Sequence, residues 1–452
     1  MDNPNDLTHG SILPKLLRFF FPVLLGMLFQ QLYNTVDAVI VGNFVGPTAL
    51  AAVGGSPARI IDLVIGFFTG LGSGATVIIS QYYGSHDEEK LSEAEHTIIL
   101  FCLIAGAALA VLGLLLASSA MRLLQTPADV FDEALAYLRI YFAGTAAVLL
   151  FNVGSGILRA VGDSRTPLIA LGICASLNII LDLFFVAVLG WGVAGAAWAT
   201  VLSLTLSAAL ILAHLHRAGE LPPLRLRQLR IYPKALRRIL YIGVPAGLQG
   251  SMYSISNIII QASVNGLGTA VAAAWTVTGK FDGIYWVTSN SFGMALCTYV
   301  GQCYGAGDIE RMKKGARLWL LFDLGVSAVV SALLLTLSRW GFRLFTPDAD
   351  VIAYSIEMVW CFAPYYVVWT FIEIISNILR GVGDSVRPML IVTVGVCVLR
   401  IAWIFLVVPH WHTVVGISMS YPVTWALTAL ALTVYYFKGN WLVTIQSHAG
   451  TE

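Results

Sequence analysis

Charge is what this sequence has least of. Only 11% of its 452 residues are Asp, Glu, Lys or Arg, while 58% are hydrophobic. A soluble domain carries about 25% charged residues, so most of this chain's surface cannot face water. The formal net charge is +1, without the strongly basic face that a nucleic-acid partner needs. No C-x-x-C spacing occurs among Cys102, Cys174, Cys297, Cys303, Cys361 and Cys397. These cysteines lie in or at the end of apolar runs and read as small core residues, not as redox or metal ligands. No Walker phosphate loop is present. Gly70, Gly72 and Gly74 lie in an apolar run with no strand before them, so close helix packing accounts for them. The eight histidines are scattered, no catalytic motif stands out, and an enzyme is not expected. No resident cofactor or metal is expected either.

Long apolar runs are what the chain does have. A membrane-spanning helix needs about 20 mostly apolar residues, and about twelve stretches meet that length, from residues 16–42 to 414–437. The first is too long for the h-region of a signal peptide, about 7–15 residues, and Asp2 and Asp6 precede it in place of a basic segment. Only helices and closed barrels satisfy the backbone in lipid, and these runs lack the alternation of barrel strands. The fold class is therefore all-α integral membrane. Nineteen of the 26 Lys and Arg residues, among them Lys15, Arg159, Arg238, Arg311 and Arg380, fall on one side of these spans. Five fall on the other (Arg59, Arg122, Arg139, Arg339 and Arg343), and Lys280 and Arg400 lie within spans. The positive-inside rule places both termini in the cytoplasm of a multi-pass protein of the cell's inner membrane. The lipid bilayer is its surrounding partner, and a monomer is the expected form.

The halves repeat. Ile157-Leu158-Arg159 and Val161-Gly162-Asp163-Ser164 recur as Ile378-Leu379-Arg380 and Val382-Gly383-Asp384-Ser385, at 384 − 163 = 221. Gln81, Tyr83, Gly84 and Asp87 find Gln302, Tyr304, Gly305 and Asp308 at the same offset. Pro22 and Asn34 find Pro245 and Asn257 two residues beyond it. Each half holds six spans, so the repeat keeps its membrane orientation and two six-helix lobes face each other around a central cavity. The lobes are residues 1–215 and 237–452, joined by a basic linker, 216–236, able to meet anionic lipid. The Gly-Asp-Ser segments read as tight turns whose Asp or Ser caps the next helix.

Ionisable residues inside spans are costly and point to function. Gln30, Asn34 and Asp37 form one stripe on span 1; Asn178 and Asp182 share a face of span 5. No Lys or Arg in either span offers them a partner. Two such carboxylates brought together can carry a proton, or can hold Na⁺ with their amide neighbours; the alternative is hydrogen-bonded helix glue. The second half has Asn257 and Gln261 in span 7, Lys280 and Asp282 in span 8, Glu357 and Glu373 around span 10 and Arg400 in span 11. Lys280 is expected to pair with Asp282 or Glu373. Asp62 and Asp323 are assigned no role. Trp191, Trp340, Trp411 and Trp441 read as an interfacial belt. Tyr33, Trp275, Tyr285, Trp286, Trp360 and Trp369 are candidates to line a cavity for flat organic cations.

With Pro22, Gln31-Leu32-Tyr33-Asn34-Thr35-Val36-Asp37, Ser56-Pro57-Ala58, the paired Gln-x-Tyr-Gly turns and the paired Leu-Arg-x-x-Gly-Asp-Ser segments, nearly the whole chain resembles the multidrug and toxic compound extrusion (MATE) transporters. The Asp of span 1 with Asn and Asp four apart in span 5 is similar to the DinF-like branch. The resemblance implies an antiporter that admits H⁺ or Na⁺ as small, cationic, lipophilic organic substrates leave by alternating access. It implies a first-lobe cation site at Asp37, Asn178 and Asp182, with Asn34 nearby and Na⁺ possible on the first three. A second-lobe polar site would draw on Glu373, Lys280, Asp282 and Asn257. A lipid-linked oligosaccharide flippase of the same superfamily is the alternative; the scarcity of Lys and Arg at depth weighs against it.

Overall fold

The computed structural model describes residues 5–217, 221–439 and 441. Twelve helical segments carry the chain to and fro: α1 Ile12–Phe44, α2 Ser56–Gly84, α3 Glu88–Leu123, α4 Ala128–Ala143 continued as Thr145–Ala160, α5 Arg165–Val188 and α6 Gly192–Arg217. The second half follows as α7 Pro233–Asn265, α8 Thr269–Gly305, α9 Ile309–Arg343, α10 Ala349–Val382, α11 Val386–Leu406 and α12 Val414–Lys438. Among the described residues, nine of these helices are long and apolar enough to cross a membrane, and the two parts of α4, bent by 52°, make a tenth. α7 and α8 are as long, at 33 and 37 residues, but are not among those apolar helices. Their polar positions turn out to be the wall of a cavity.

The repeated turns cap helices. Asp87 accepts the Lys90 N–H at 3.1 Å to begin α3, and its repeat mate Asp308 accepts the Arg311 N–H at 2.9 Å to begin α9. Asp163 caps α5 through Arg165 and Thr166, both at 3.0 Å. Its mate Asp384 does not cap; its carboxylate instead takes the Tyr435 hydroxyl at 2.6 Å and Arg387 at 3.5 Å. Gly162 (φ +88°) and Gly383 (φ +106°) supply the left-handed backbone of both turns. On the exposed turn before α3, the hydrogen bond that the Lys90 ammonium donates to Asp87 raises the Lys90 pKa and holds that of Asp87 down.

Two apolar cores form, and α1 and α7 cross between them. Leu16, Phe19, Phe20 and Val23 of α1 pack in the second-half core, whereas Ile40 and Val41 pack in the first. α7 does the reverse: Ala235, Ile239 and Ile242 join the first core, Ile260 and Val264 the second. Pro22 and Pro245 lie within these helices, near the crossings. Glycines permit the approach. A Cβ on Gly70 would overlap the backbone of Ala246 and Gly247, and one on Gly74 the backbone at Ile239 and Gly243.

At the end of the bundle where α1 begins and α12 ends, the halves are sealed by a reciprocal seam. Gln81 Nε2 donates to the Gly381 carbonyl at 2.9 Å, and Gln302 Nε2 donates to the Ala160 carbonyl at 2.8 Å. Donors and acceptors obey one offset, 302 − 81 = 221 and 381 − 160 = 221. Gly84 and Gly305 lie against the carbonyls of Gln302 and Gln81, where any Cβ would overlap. The N-terminal segment straps this seam. The Leu7 N–H donates to Gln302 Oε1 at 3.0 Å, Arg311 donates to the Leu7 and His9 carbonyls, and the Asn5 carbonyl sits against Gly162. The described part of the linker packs on the first half: Leu221 and Leu224 are buried, and Arg225 and Tyr232 donate backbone N–H groups to His96 and Thr97.

A neutral hydrogen bond contributes about 1 kcal/mol net, which is roughly a fivefold population shift. Gln81→Leu or Gln302→Leu is expected to raise maleimide labelling of a Ser80→Cys reporter, buried in the seam, by about that factor in a background without the native cysteines. Gly305→Ala, which inserts a Cβ against a carbonyl, is expected to raise it further.

Candidate functional site

A cavity of about 570 Å³ occupies the half of the bundle away from the seam. Ser254, Asn257 and Gln261 present one stripe of α7 to it, and Trp275, Thr278, Asp282, Trp286 and Asn290 one stripe of α8. These stripes are why α7 and α8 are less apolar than their neighbours. Arg59 and Asp62, at the start of α2, complete the wall from the first half. Trp286, Trp369 and Trp425 meet edge to face with centroids 5.1–6.1 Å apart, an aromatic floor of favoured geometry. Asp282, 7% exposed, accepts the Trp286 indole N–H at 3.1 Å and the Tyr366 hydroxyl at 3.0 Å through one oxygen. Arg400, 3% exposed, lies over the Tyr421 ring with its guanidinium carbon 3.8 Å from the centroid.

The first half holds a second constellation. Asp37 of α1 meets Asp182 of α5 carboxyl to carboxyl, with Asn178 one turn before Asp182. Asn178 and Asp182 are buried, and neither amide atom of Asn178, neither oxygen of Asp182 nor Oδ1 of Asp37 has a hydrogen-bond partner among the described residues. Two ionised carboxylates are both acceptors and cannot satisfy each other; one proton shared between them, or a cation bridging them, does. The donor set, two carboxylates and an amide oxygen, fits a hard monovalent cation as well as a proton. α5 turns into a π-helix immediately after Asp182, over Leu183–Val188, and α11 has its own π-turn, Thr393–Val398, two residues before Arg400. Such turns are frequent at functional sites.

Several sequence-based expectations need adjustment. Asn34 is exposed and makes no hydrogen bond with the described residues; Tyr33 and Tyr137 are the groups beside Asp37. Lys280 is exposed and pairs with neither Asp282 nor Glu373. Residues two apart on a helix do not share a face, and Glu373 is taken by Asn377, whose Nδ2 donates to it at 2.8 Å. Gly293 of α8 makes room for this pair, since a Cβ there would overlap both side chains. Asn257 lines the cavity. Of the aromatics, Trp275, Trp286 and Trp369 line it, while Tyr285 is buried on Tyr366 and Trp360 is exposed. Trp191, Trp340 and Trp411 are exposed, but Trp441 is buried. Sequence reasoning passed over Asp62, a cavity residue, and Asp323, 1% exposed with one oxygen unpartnered and the other 3.3 Å from the Ser327 hydroxyl. A charged residue in mid-span was the available signal for Asp323.

Two six-helix halves that enclose a polar, aromatic cavity, with unpartnered carboxylates in the bundle, define a membrane transporter. The sequence profile of the MatE family matches residues 22–184 and again 245–406, once in each half, and the chain belongs to that family. It is a transporter and not an enzyme. It is similar to the probable multidrug resistance protein YoeA of Bacillus subtilis, 27% identical over 94% of each chain, and to YpnP of the same organism, 27% identical over 96% of this chain and 97% of that one. Its fold superposes on an outward-facing MATE transporter of the MOP superfamily with a TM-score of 0.87, at 24% identity, over 96% of this chain and 95% of that one.

Gly293→Ala is expected to lower the melting temperature in detergent, because overpacking at a buried contact costs about 1–3 kcal/mol. Adding Glu373→Ala should restore it, since the overlap is with the Glu373 and Asn377 side chains; an unchanged double mutant would mean the strain lies elsewhere.

Proposed function

We propose that this chain is a cation-coupled antiporter that exports small aromatic organic compounds from the cavity, with Asp37 and Asp182 carrying the coupling H⁺ or Na⁺. The observation that carries the reading is the carboxyl pair itself, Asp182 buried and Asp37 half-buried, unpartnered by any base among the described residues and shared between α1 and α5. Lys and Arg cluster at the sealed end, which the positive-inside rule assigns to the cytoplasm, so the cavity belongs to an outward-open state. The printed names of the relatives, multidrug resistance proteins, support organic compounds as cargo. The aromatic floor with the Asp282 carboxylate suits flat molecules bearing positive charge.

α1 joins ion to cargo. Its inner half belongs to the second-half core, and its outer half brings Asp37 to α5. Between them Met27 accepts the Ser291 hydroxyl of α8 at 3.2 Å, so α1 lies between the carboxyl pair and a cavity-lining helix. A proton shared by the pair, or Na⁺ bridging it, removes the cost of burying two like charges together. α1 then repacks around Pro22 and Gly26, the cavity reshapes, and cargo leaves outward. Release of the ion to the cytoplasm, once the seam opens, resets the pair.

Asp37→Asn keeps shape and removes the charge. It is expected to abolish efflux of a fluorescent organic cation from proteoliposomes under an imposed proton gradient or sodium gradient, with the protein still monodisperse. Efflux at the original rate under the gradient that drives the unaltered protein would sink this role for the pair.

A further inference from the structure

Arg400 is a buried charge that the protein does not neutralise. Guanidinium carries five N–H donors and stays protonated in proteins. Its hydrogen bonding within the chain is limited to the Tyr421 side chain and one long contact from Nη2 to the Thr424 hydroxyl at 3.4 Å, and Nε is enclosed without an acceptor. No described carboxylate pairs with it; its electrostatic neighbours are the Tyr421, Tyr253 and Cys397 side chains. Two more enclosed donors in the same wall lack acceptors, the indole N–H groups of Trp369 and Trp425. An indole can only donate. This side of the cavity is thus rich in donors and short of acceptors.

We propose that Arg400 anchors an anionic oxygen group, carboxylate or phosphate, of a planar aromatic substrate, while Asp282 faces that substrate's cationic end. This deepens the export reading and rests on it: the cargo becomes amphoteric rather than purely cationic. The cavity's four charged residues divide evenly, Arg59 and Arg400 against Asp62 and Asp282. Arg59 and Asp62 lie one helical turn apart on α2 and interact with each other, which leaves Arg400 and Asp282 to meet opposite charges on the ligand. Tyr421 holds the guanidinium plane from behind, so the fork is pre-organised for a bidentate oxyanion. A carboxylate on an aromatic ring brings both the acceptors this wall needs and a flat body for the Trp286, Trp369 and Trp425 floor.

The test measures binding to purified, full-length protein by tryptophan quenching, with no gradient applied. The two probes are a rhodamine bearing a free benzoate and the methyl ester of the same dye. The unaltered protein should bind the free acid more tightly than the ester. Arg400→Gln should weaken the acid by about tenfold or more, as loss of one partner of a buried charge pair does, and move the ester less than about threefold. Arg400→Lys should fall between them, and Arg400→Leu should melt at a higher temperature, because an uncompensated buried charge is removed. Equal weakening of both dyes by Arg400→Gln would make Arg400 structural and overturn the proposal. So would displacement of the acid dye by an equal concentration of short-chain phosphatidylglycerol, which would assign the anchor to a lipid headgroup. Since no gradient is used, failure of coupled export leaves this measurement intact, and failure here leaves export intact.

Discussion

Gln81 and Gln302 each reach into the opposite half and donate to a backbone carbonyl there, and this reciprocal pair sits at the centre of the contact that closes the end opposite the cavity. A transporter must seal one mouth while the other is open, and a seal inside a bilayer has no water to satisfy loose polar groups. Here the seal is made from the repeat itself. Each glutamine stands one turn before a glycine, and each glycine lies under the other glutamine's carbonyl. The halves therefore approach to backbone distance, and the polar groups this buries find partners across the approximate two-fold axis. Each bond runs to its own carbonyl, so the two hold the seam independently, at Gly381 and at Ala160.

The same logic runs through α1 and α7. Each passes from one core to the other near a proline that leaves a gap in its hydrogen-bond ladder. The carboxyl pair and the aromatic cavity lie in different halves, Asp37 and Asp182 in the first and the cavity mostly in the second. A helix that belongs to both cores is the direct physical link between them. Residues 29–35 of α1 are exposed on nearly every face, so little packing resists their movement.

Much of this was legible in the sequence. Apolar length located the twelve helical segments, of which nine, or ten with the bent α4, are apolar enough to cross a membrane among the described residues; cavity-facing positions dilute the hydropathy of α7 and α8. The 221-residue offset anticipated the paired turns and put Gln81 opposite Gln302. The spacing of Asn178 and Asp182 on one face of α5, with Asp37 on α1, picked out the residues the fold assembles. Phase on a single helix was less informative about partners. Asn34 shares a stripe with Asp37, but no described group reaches it. Lys280 and Asp282 are close in sequence and point apart. The exchange of α1 and α7 between cores left no mark in composition, because a helix apolar on several faces does not name the helix it packs against. Asp323 and Asp62 looked alike in the sequence, and only the fold separates a carboxylate sealed in the second half from one lining the cavity.

The strap and the crossing of α1 also order events during synthesis. Leu7 binds Gln302, 295 residues later in the chain, and Phe19 and Phe20 settle in a core made of α7 to α12. α1 thus waits for the second-half helices before its inner half finds a permanent neighbour. Chains usually fold domain by domain as they emerge; this one cannot complete its first half alone. A ribosome that stops after α6 leaves α1 without its partners and the first-half core without Ala235, Ile239 and Ile242, a product for quality-control proteases rather than half a pump.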